Sequence, residues 1–217
     1  MRLVWVDLTA GAVRVEAIDA DTERRFIGGR GLGAKLLADH LIAPHAPYDP
    51  RNPLIFTVGP FTGTLWPTGA RYHVTFLSPL TGIYGYANAG GHFGAALRRT
   101  GYDGIVITGQ ADDPVYLQVT PAGVEVLPAG HIWGLGTDAT RAQLAAEGAR
   151  IACIGPAGER GVRFAAIIND GGRAAARCGG GAVMGAKRLK AIVVQGRADV
   201  ELPAAFLEAA RSAYNRV

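Results

Sequence analysis

The sequence has few of the residues that hold metals or cross-link small domains. It contains two cysteines, Cys153 and Cys178, which lie far apart and outside any CxxC or HxxH spacing. Zinc and iron–sulfur sites are usually built from several closely spaced ligands, so none is expected within this chain. No apolar run approaches the ~20 residues of a membrane span. The first residues, MRLVWVDLTAGAV, do not resemble a signal peptide. We therefore expect a cytoplasmic, reduced location and no membrane contact.

Two common kinds of functional pattern are also missing. Paired carboxylates and a Ser/His/Asp set do not stand out, which argues against a hydrolase. Only 8% of the residues are aromatic, and the basic residues are not interleaved with stacking rings. The net charge of +4 is modest, so nucleic acid is not an expected partner. With 217 residues and 49% hydrophobic content, the chain is long and apolar enough to bury a core.

Glycine, in contrast, is abundant: the chain has 31, roughly twice the usual share of about 7%. The segment 171–190, GGRAAARCGGGAVMGAKRLK, is rich in glycine and basic residues and has no acid. Glycines before a helix let backbone N–H groups approach an anion closely. Arg173 and Arg177, four residues apart, could face one anion, so this pattern predicts a phosphate or another compact anion as ligand. The alternative is a glycine-rich turn that packs tightly on a sheet, with its basic residues facing solvent.

The two halves of the chain follow one pattern. Each has a predicted hairpin, a buried strand ending in Gly-Pro, a further strand, a glycine-rich loop, a short helix and a final strand. The paired segments are 3–16 and 115–126, 53–60 and 149–156, 70–77 and 162–168, 88–91 and 177–180, and 103–107 and 190–194. This predicts an α+β fold: a duplicated β-rich motif with pseudo-twofold symmetry, two β-sheets and short helices.

The predicted domain covers residues 1–201, with repeats at about 1–110 and 111–201. Further helices are expected at 31–42 and 137–147, the second with Thr137 or Asp138 as N-cap. Residues 202–217 are predicted to start a helix that leads to a following domain. The loops 88–91 and 177–180 would then lie near the pseudo-twofold axis. They would hold two similar anions or one ligand with two similar halves, unless only one loop is functional.

Four long segments carry a family resemblance: NPLIFTVGPFTGT, PTGARYHVTFLSPLTGIYGYANAGGHFG, LRRTGYDGIVITG and RAAARCGGGAVMGAKRLKAIVV. Together they resemble the N-terminal domain of aldehyde ferredoxin oxidoreductases, over essentially the whole chain. These are tungsten, sometimes molybdenum, bis-pterin enzymes. The resemblance implies that this domain is the base on which the two pterins sit, with their phosphates bridged by magnesium.

The resemblance also implies roles for individual residues. Arg71 resembles the family's pterin-contacting arginine, and Asn88 and Cys178 stand where backbone carbonyls hold magnesium. Cys178 departs from the Ala or Gly more usual at its position. The residues expected beside the phosphates and pterins are Ala89, Gly90, Gly91, Arg177, Gly179 and Gly180.

No catalytic residue is assigned in this chain. His73 and His92 are candidates for a cofactor contact, Cys153 is expected in the core, and His40, His45 and His131 are expected at the surface or in loops.

The implied function is that of a cofactor-binding domain in an oxidoreductase that oxidises an aldehyde or related substrate by two electrons. The iron–sulfur cluster and the acid/base residues would lie in C-terminal catalytic domains or in a separate catalytic subunit. Electrons would pass to a ferredoxin-like acceptor, and a homo-oligomer is compatible with this arrangement. The chain alone is expected to be inactive. The alternative function is a non-catalytic scaffold or cofactor carrier that keeps the fold without its partner domains.

Overall fold

The computed structural model of the protein describes residues 1–41, 46–200 and 202–216. In this part of the chain, the first six strands are β1 Arg2–Asp7, β2 Ala12–Ala17, β3 Leu54–Val58, β4 Tyr72–Leu77, β5 Tyr84–Ala89 and β6 Gly104–Thr108. The next six are β7 Val115–Thr120, β8 Gly123–Pro128, β9 Arg150–Cys153, β10 Ile167–Asn169, β11 Arg173–Ala175 and β12 Leu189–Val194. The helices are α1 Ala20–Phe26, α2 Gly29–His40, α3 Phe93–Arg98, α4 Thr137–Gln143, α5 Pro156–Glu159, α6 Gly180–Ala186 and α7 Ala204–Tyr214, with a 3₁₀ turn at Gly130–Ile132.

The strands form two six-stranded sheets with the same topology. The first sheet has the order β2-β1-β6-β3-β4-β5, and the second, read from its other edge, is β8-β7-β12-β9-β10-β11. Each contains one parallel pair, β1 with β6 and β7 with β12, while the remaining pairs are antiparallel. The predicted duplication and the predicted fold class are therefore confirmed.

Two short helices lie between the sheets and fill the core. α3 contacts β3 of the first sheet and β9 and β12 of the second, and α6 contacts strands of both sheets as well. The main apolar cluster joins residues of both sheets, such as Phe56 and Ile192, to Phe93 of α3 and Met184 of α6. Because α6 is enclosed by backbone, its small residues are needed for space. A Cβ on Gly185 would overlap the carbonyl oxygen of Gly158.

The outer faces of the sheets are covered by α2 and α4. Leu32, Leu36 and Leu37 of α2 pack on Leu3, Ile55 and Val106 of the first sheet. On the second sheet, Leu144 at the end of α4 packs beside Cys153, which is buried as predicted. Burial raises the pKa of the Cys153 thiol to about 11. This thiol is therefore a protonated core group at neutral pH.

Several local predictions differ from the structure. α1 was not predicted, although Asp19 caps it by accepting from the N–H groups of Asp21 and Thr22. A strand was predicted at 162–168, but β10 begins only at Ile167. The preceding residues turn to meet α6, where the Ala165 carbonyl accepts from the N–H of Gly181. α4 ends at Gln143 and not at 147 as predicted. Its N-cap is Gly136, which makes no side-chain hydrogen bond, so the prediction of Thr137 or Asp138 as N-cap was wrong.

α7 is held on the first half by an aromatic cluster. The ring of Phe206 lies 5.8 Å from that of Phe61 and 5.7 Å from that of Trp66. Whether this helix leads to a following domain stays a prediction. The predictions for Ile42, His45 and Val217 lie outside the described residues. Among the described helices, none has the length and apolar character needed to cross a membrane.

Candidate functional site

A polar cluster lies on the outer face of the first sheet, where β4 begins and β5 ends. Arg71, exposed just before β4, donates from Nη1 to Oδ1 of Asn88 on β5. Nδ2 of Asn88 donates to the hydroxyl of Tyr86 over 2.9 Å. That hydroxyl lies 2.8 Å from Nδ1 of His73, which is paired with Asn88 across the strands. Arg71 and His73 thus reach the same face of the sheet, as their spacing predicted.

The start of α2 closes one side of this cluster. The guanidinium of Arg30 lies over the ring of Tyr86, 4.6 Å from its centroid, while the rings of His73 and Tyr86 stack at 5.6 Å. A Cβ on Gly29 would come within 3.0 Å of the His73 ring, so the glycine permits this approach. Burial lowers the pKa of His73, and the positive charges of Arg71 and Arg30 lower it further. The cluster therefore presents two guanidinium groups beside a neutral imidazole.

The segment after Asn88 is held by the second half of the chain. Ala89 points into the core, and the carbonyl of Gly90 accepts from Nδ2 of Asn169 over 3.0 Å. Oδ2 of Asp170 accepts from the N–H groups of His92 and Phe93, at 2.5 and 3.0 Å. The N-terminal N–H groups of α3 are thus capped by a carboxylate, so an anion would be repelled there.

Gly90 itself is open, because a Cβ there would meet no described atom within 4 Å. Gly91 is different: its φ is +92°, and a Cβ would overlap the carboxylate of Asp170. One glycine of the predicted loop thus leaves room for a ligand, while the next permits contact between the two halves.

The second predicted loop, Arg177 to Gly180, is mainly a packing element. Gly179 and Gly180 are buried, and a Cβ on Gly179 would overlap the carbonyl oxygen of Arg163. The carbonyl of Cys178 accepts from Oγ of Ser78 over 2.7 Å. Arg177 is exposed. These contacts match the alternative in which the glycine-rich turn packs tightly and its basic residue faces solvent.

The structure does not bring the Asn88 and Cys178 carbonyls together. Cys178 is tied to Ser78, whose N–H donates to the carbonyl of Ile83 just before β5. Asn88 lies at the other end of that strand, five residues beyond Ile83 and so roughly 16 Å from it at about 3.3 Å per residue. The strand register shows which residue of the second sheet corresponds to Asn88. Asn88 pairs with His73 in the first sheet, and Ala174 pairs with Ile168 in the second. His73 and Ile168 occupy corresponding positions in the two sheets, so Ala174 corresponds to Asn88. The segment that corresponds to Asn88 is therefore on β11, between Arg173 and Ala175.

The histidine candidates lie in different surroundings. His73 is part of the polar cluster, whereas the exposed His92 lines a cleft of about 670 Å³ together with Arg141 and Arg150. The ring of His40 contacts that of Trp5 in a tilted arrangement, with centroids 4.9 Å apart, and His131 is exposed in the 3₁₀ turn, away from this cluster.

Sequence reasoning did not identify Arg30, Tyr86, Asn169 and Asp170. Tyr86 could have been found, because it alternates with Asn88 as an outward residue of a strand. Asn169 and Asp170 could have been found as well, because Asn169-Asp170-Gly171-Gly172 is a typical turn sequence.

The fold is that of a known oxidoreductase domain. It matches a solved structure of the active-site complex BamBC of benzoyl coenzyme A reductase with 1,5-dienoyl-CoA, with a TM-score of 0.88 and 36% identity. The match covers 92% of this chain and 31% of that chain. Residues 3–196 match the family model described as aldehyde ferredoxin oxidoreductase, N-terminal domain.

Two relatives from Pyrococcus furiosus place this match in context. The tungsten-containing aldehyde ferredoxin oxidoreductase is 47% identical over 205 residues, covering 93% of this chain and 34% of the relative. The aliphatic sulfonate oxidoreductase WOR-like subunit is 34% identical over 215 residues, covering 90% of this chain and 34% of the relative. The chain belongs to the aldehyde ferredoxin oxidoreductase family and corresponds to its N-terminal domain. It spans about a third of the length of these relatives.

Proposed function

We propose that this chain is the domain that carries the bis-pterin cofactor in a tungsten- or molybdenum-dependent oxidoreductase, with the outer β4–β5 face contacting one pterin. The observation that carries the proposal is the cluster of Arg71, Asn88, Tyr86 and His73, with Arg30 beside it and open backbone at Gly90.

The chemistry of these groups suits a pterin phosphate. Guanidinium groups bind phosphates and planar polar rings through several donors at fixed angles. Arg71 is exposed and uses one of its nitrogens on Asn88, which leaves further N–H groups for a ligand. The open side of Gly90 leaves room for a ligand beside the backbone that follows Asn88.

The predicted magnesium ion remains part of this proposal, but one of its two predicted protein ligands changes. Magnesium favours oxygen ligands in octahedral geometry, and a backbone carbonyl suits it. Asn88 keeps its predicted role, but Cys178 is tied to Ser78 at the other end of β5. The register of the two sheets favours the carbonyl of Ala174 as the second ligand.

When bound, the metal–pterin group would supply two-electron oxidation of an aldehyde or related substrate. The residues of this chain would bind and orient it: Arg71 and Arg30 by charge, and Asn169 by holding the Gly90 carbonyl. The whole protein would further need an iron–sulfur cluster, a ferredoxin-like acceptor and the catalytic domains or subunit that supply them, in the cytoplasm.

The test is Arg71→Lys in the whole protein purified from its host, with tungsten, molybdenum and pterin measured per mole of folded protein. Lysine keeps the charge but loses the paired donors, so we expect cofactor occupancy to fall while the thermal midpoint of unfolding stays unchanged. Arg14→Lys, on the distant edge strand β2, is the matched control and should leave occupancy unchanged.

Equal cofactor content in the Arg71→Lys variant and the parent would contradict the assignment. A protein that holds pterin and metal but shows no aldehyde-dependent reduction of a viologen dye, with its catalytic partner present, would favour the scaffold or carrier alternative.

A further inference from the structure

The hydrogen bonds that lead from Arg71 through Asn88 to Tyr86 have one possible direction. A guanidinium can only donate, so the atom of Asn88 that faces Arg71 is its amide oxygen. The amide NH₂ of Asn88 must then face Tyr86 and donate to the phenol oxygen. That oxygen accepts from Asn88, and its own proton can be donated to Nδ1 of His73, 2.8 Å away, when the imidazole is the tautomer with its proton on Nε2. A neutral imidazole agrees with the lowered pKa of His73.

The far end of this chain of hydrogen bonds is fixed by packing. The imidazole of His73 is enclosed between Gly29 and the ring of Tyr86, and the guanidinium of Arg30 lies over that ring as well. The exposed end, Arg71, is held in a different way: Asn88 accepts a hydrogen bond from its guanidinium. A free arginine samples many rotamers, and ordering one before a ligand arrives reduces the entropy lost on binding.

We propose that Tyr86 is a positioning residue of the cofactor site. Its hydroxyl, held by His73, fixes the amide of Asn88, and Asn88 in turn holds the guanidinium of Arg71 in the orientation that binds the cofactor. The inference rests on the proposed function, because it takes Arg71 as a cofactor contact.

The same strand offers a matched control. Tyr84 lies two residues before Tyr86 and points to the same face of β5. Its hydroxyl is buried and has no hydrogen-bond partner among the residues that the structure describes. Tyr84→Phe and Tyr86→Phe therefore remove the same atom from the same strand, but only the second change interrupts the chain to Arg71.

The experiment uses the whole protein with its bound cofactor and compares the parent with Tyr86→Phe, Tyr84→Phe, Arg71→Ala and the Arg71→Ala/Tyr86→Phe double variant. The readout is the first-order rate at which the protein releases tungsten and pterin in excess chelator, with the released pterin measured by its fluorescence. Loss of one hydrogen bond should raise the release rate of Tyr86→Phe by about 3- to 10-fold. Tyr84→Phe should behave as the parent does. The double variant should match Arg71→Ala alone, since Tyr86 acts through Arg71.

The outcomes separate this inference from the proposed function. Faster release from Arg71→Ala with parent-like release from Tyr86→Phe would overturn the role of Tyr86 and leave the proposed function standing. Release from the double variant that exceeds Arg71→Ala by the full Tyr86→Phe factor would also overturn it, because Tyr86 would then act independently. Parent-like release from Arg71→Ala would contradict both.

A second variant covers the case in which Tyr86→Phe does not fold, as judged by circular dichroism. His73→Phe keeps a ring between Gly29 and Tyr86 but has no Nδ1 acceptor. It should accelerate release when Arg71 is present and have no effect in the Arg71→Ala background. Parent-like release from His73→Phe would then overturn the inference.

Discussion

Lys187 gives the sharpest stability prediction, because a lysine charge is buried at the junction of the two halves. Its side chain is 2% exposed, and Nζ donates to the carbonyls of Pro50 and Gly109, at 2.9 and 3.1 Å. Burial lowers the pKa of Lys187 from 10.5 to about 7, although the negative charges of Asp49 and Asp7 oppose that change.

The sign of the pH dependence follows from proton binding. Between the folded pKa of about 7 and the unfolded value of 10.5, the unfolded chain binds more protons at Lys187 than the folded protein does. The free energy of unfolding should therefore rise with pH in this window, by up to about 1.4 kcal/mol per pH unit. This contribution is complete above the unfolded pKa and is lost as the pH falls towards 7.

The assay is urea unfolding of the parent and of Lys187→Met at several values between about pH 7.5 and pH 9.5. The free energy of unfolding of the parent minus that of the variant should increase by about 2 kcal/mol across this range. Taking the difference removes the contribution of other groups that titrate there. Lys35→Met, at a partly exposed lysine of α2 that pairs with Asp39, controls for the change of lysine to methionine. A difference that is flat, or that falls with rising pH, would refute the reasoning.

Two further predictions concern the contacts between helices and between halves. Gly185→Ala should destabilise the protein by about 3 kcal/mol, seen as a lower calorimetric midpoint, because the new methyl overlaps the carbonyl of Gly158. Gly130→Ala, which meets no described atom within 4 Å, should change the midpoint little, and equal effects would count against the packing argument. Asp170→Ala should cost about 1 kcal/mol in urea unfolding, because the N–H of His92 loses its acceptor. Asp170→Asn, which keeps an acceptor oxygen, should cost less, and the reverse order would contradict the capping role.

Much of the fold was predictable because its signals are local. Period-2 alternation around a glycine turn predicted both hairpins, β1–β2 and β7–β8. The apolar runs that end in Gly-Pro predicted β3 and β9, which are buried on both faces. Repetition of these signals in the same order predicted the duplication, and the matching sheet orders confirm it.

The candidate site was harder to predict, because its geometry depends on contacts between distant residues. Arg71 was identified, but its hydrogen-bond partner Asn88 lies 17 residues further along the chain, on β5. The glycines that follow Asn88 led to the prediction of a loop at this strand end. Asp170 is 78 residues from the N–H of His92 that it caps. The roles of Arg71, Asn88, Gly90 and Arg177 towards a cofactor remain predictions.

The sequence by itself determined most of the strands, the duplication and the family, since these depend on residue patterns that repeat within short segments. Only the tertiary structure decided what the glycines do. Gly179 and Gly185 are required because neighbouring backbone approaches too closely for a Cβ, whereas Gly90 leaves open space. All three look alike in sequence. What separates them is the distance to atoms from other parts of the chain, and that distance exists only once the two sheets have closed around α3 and α6.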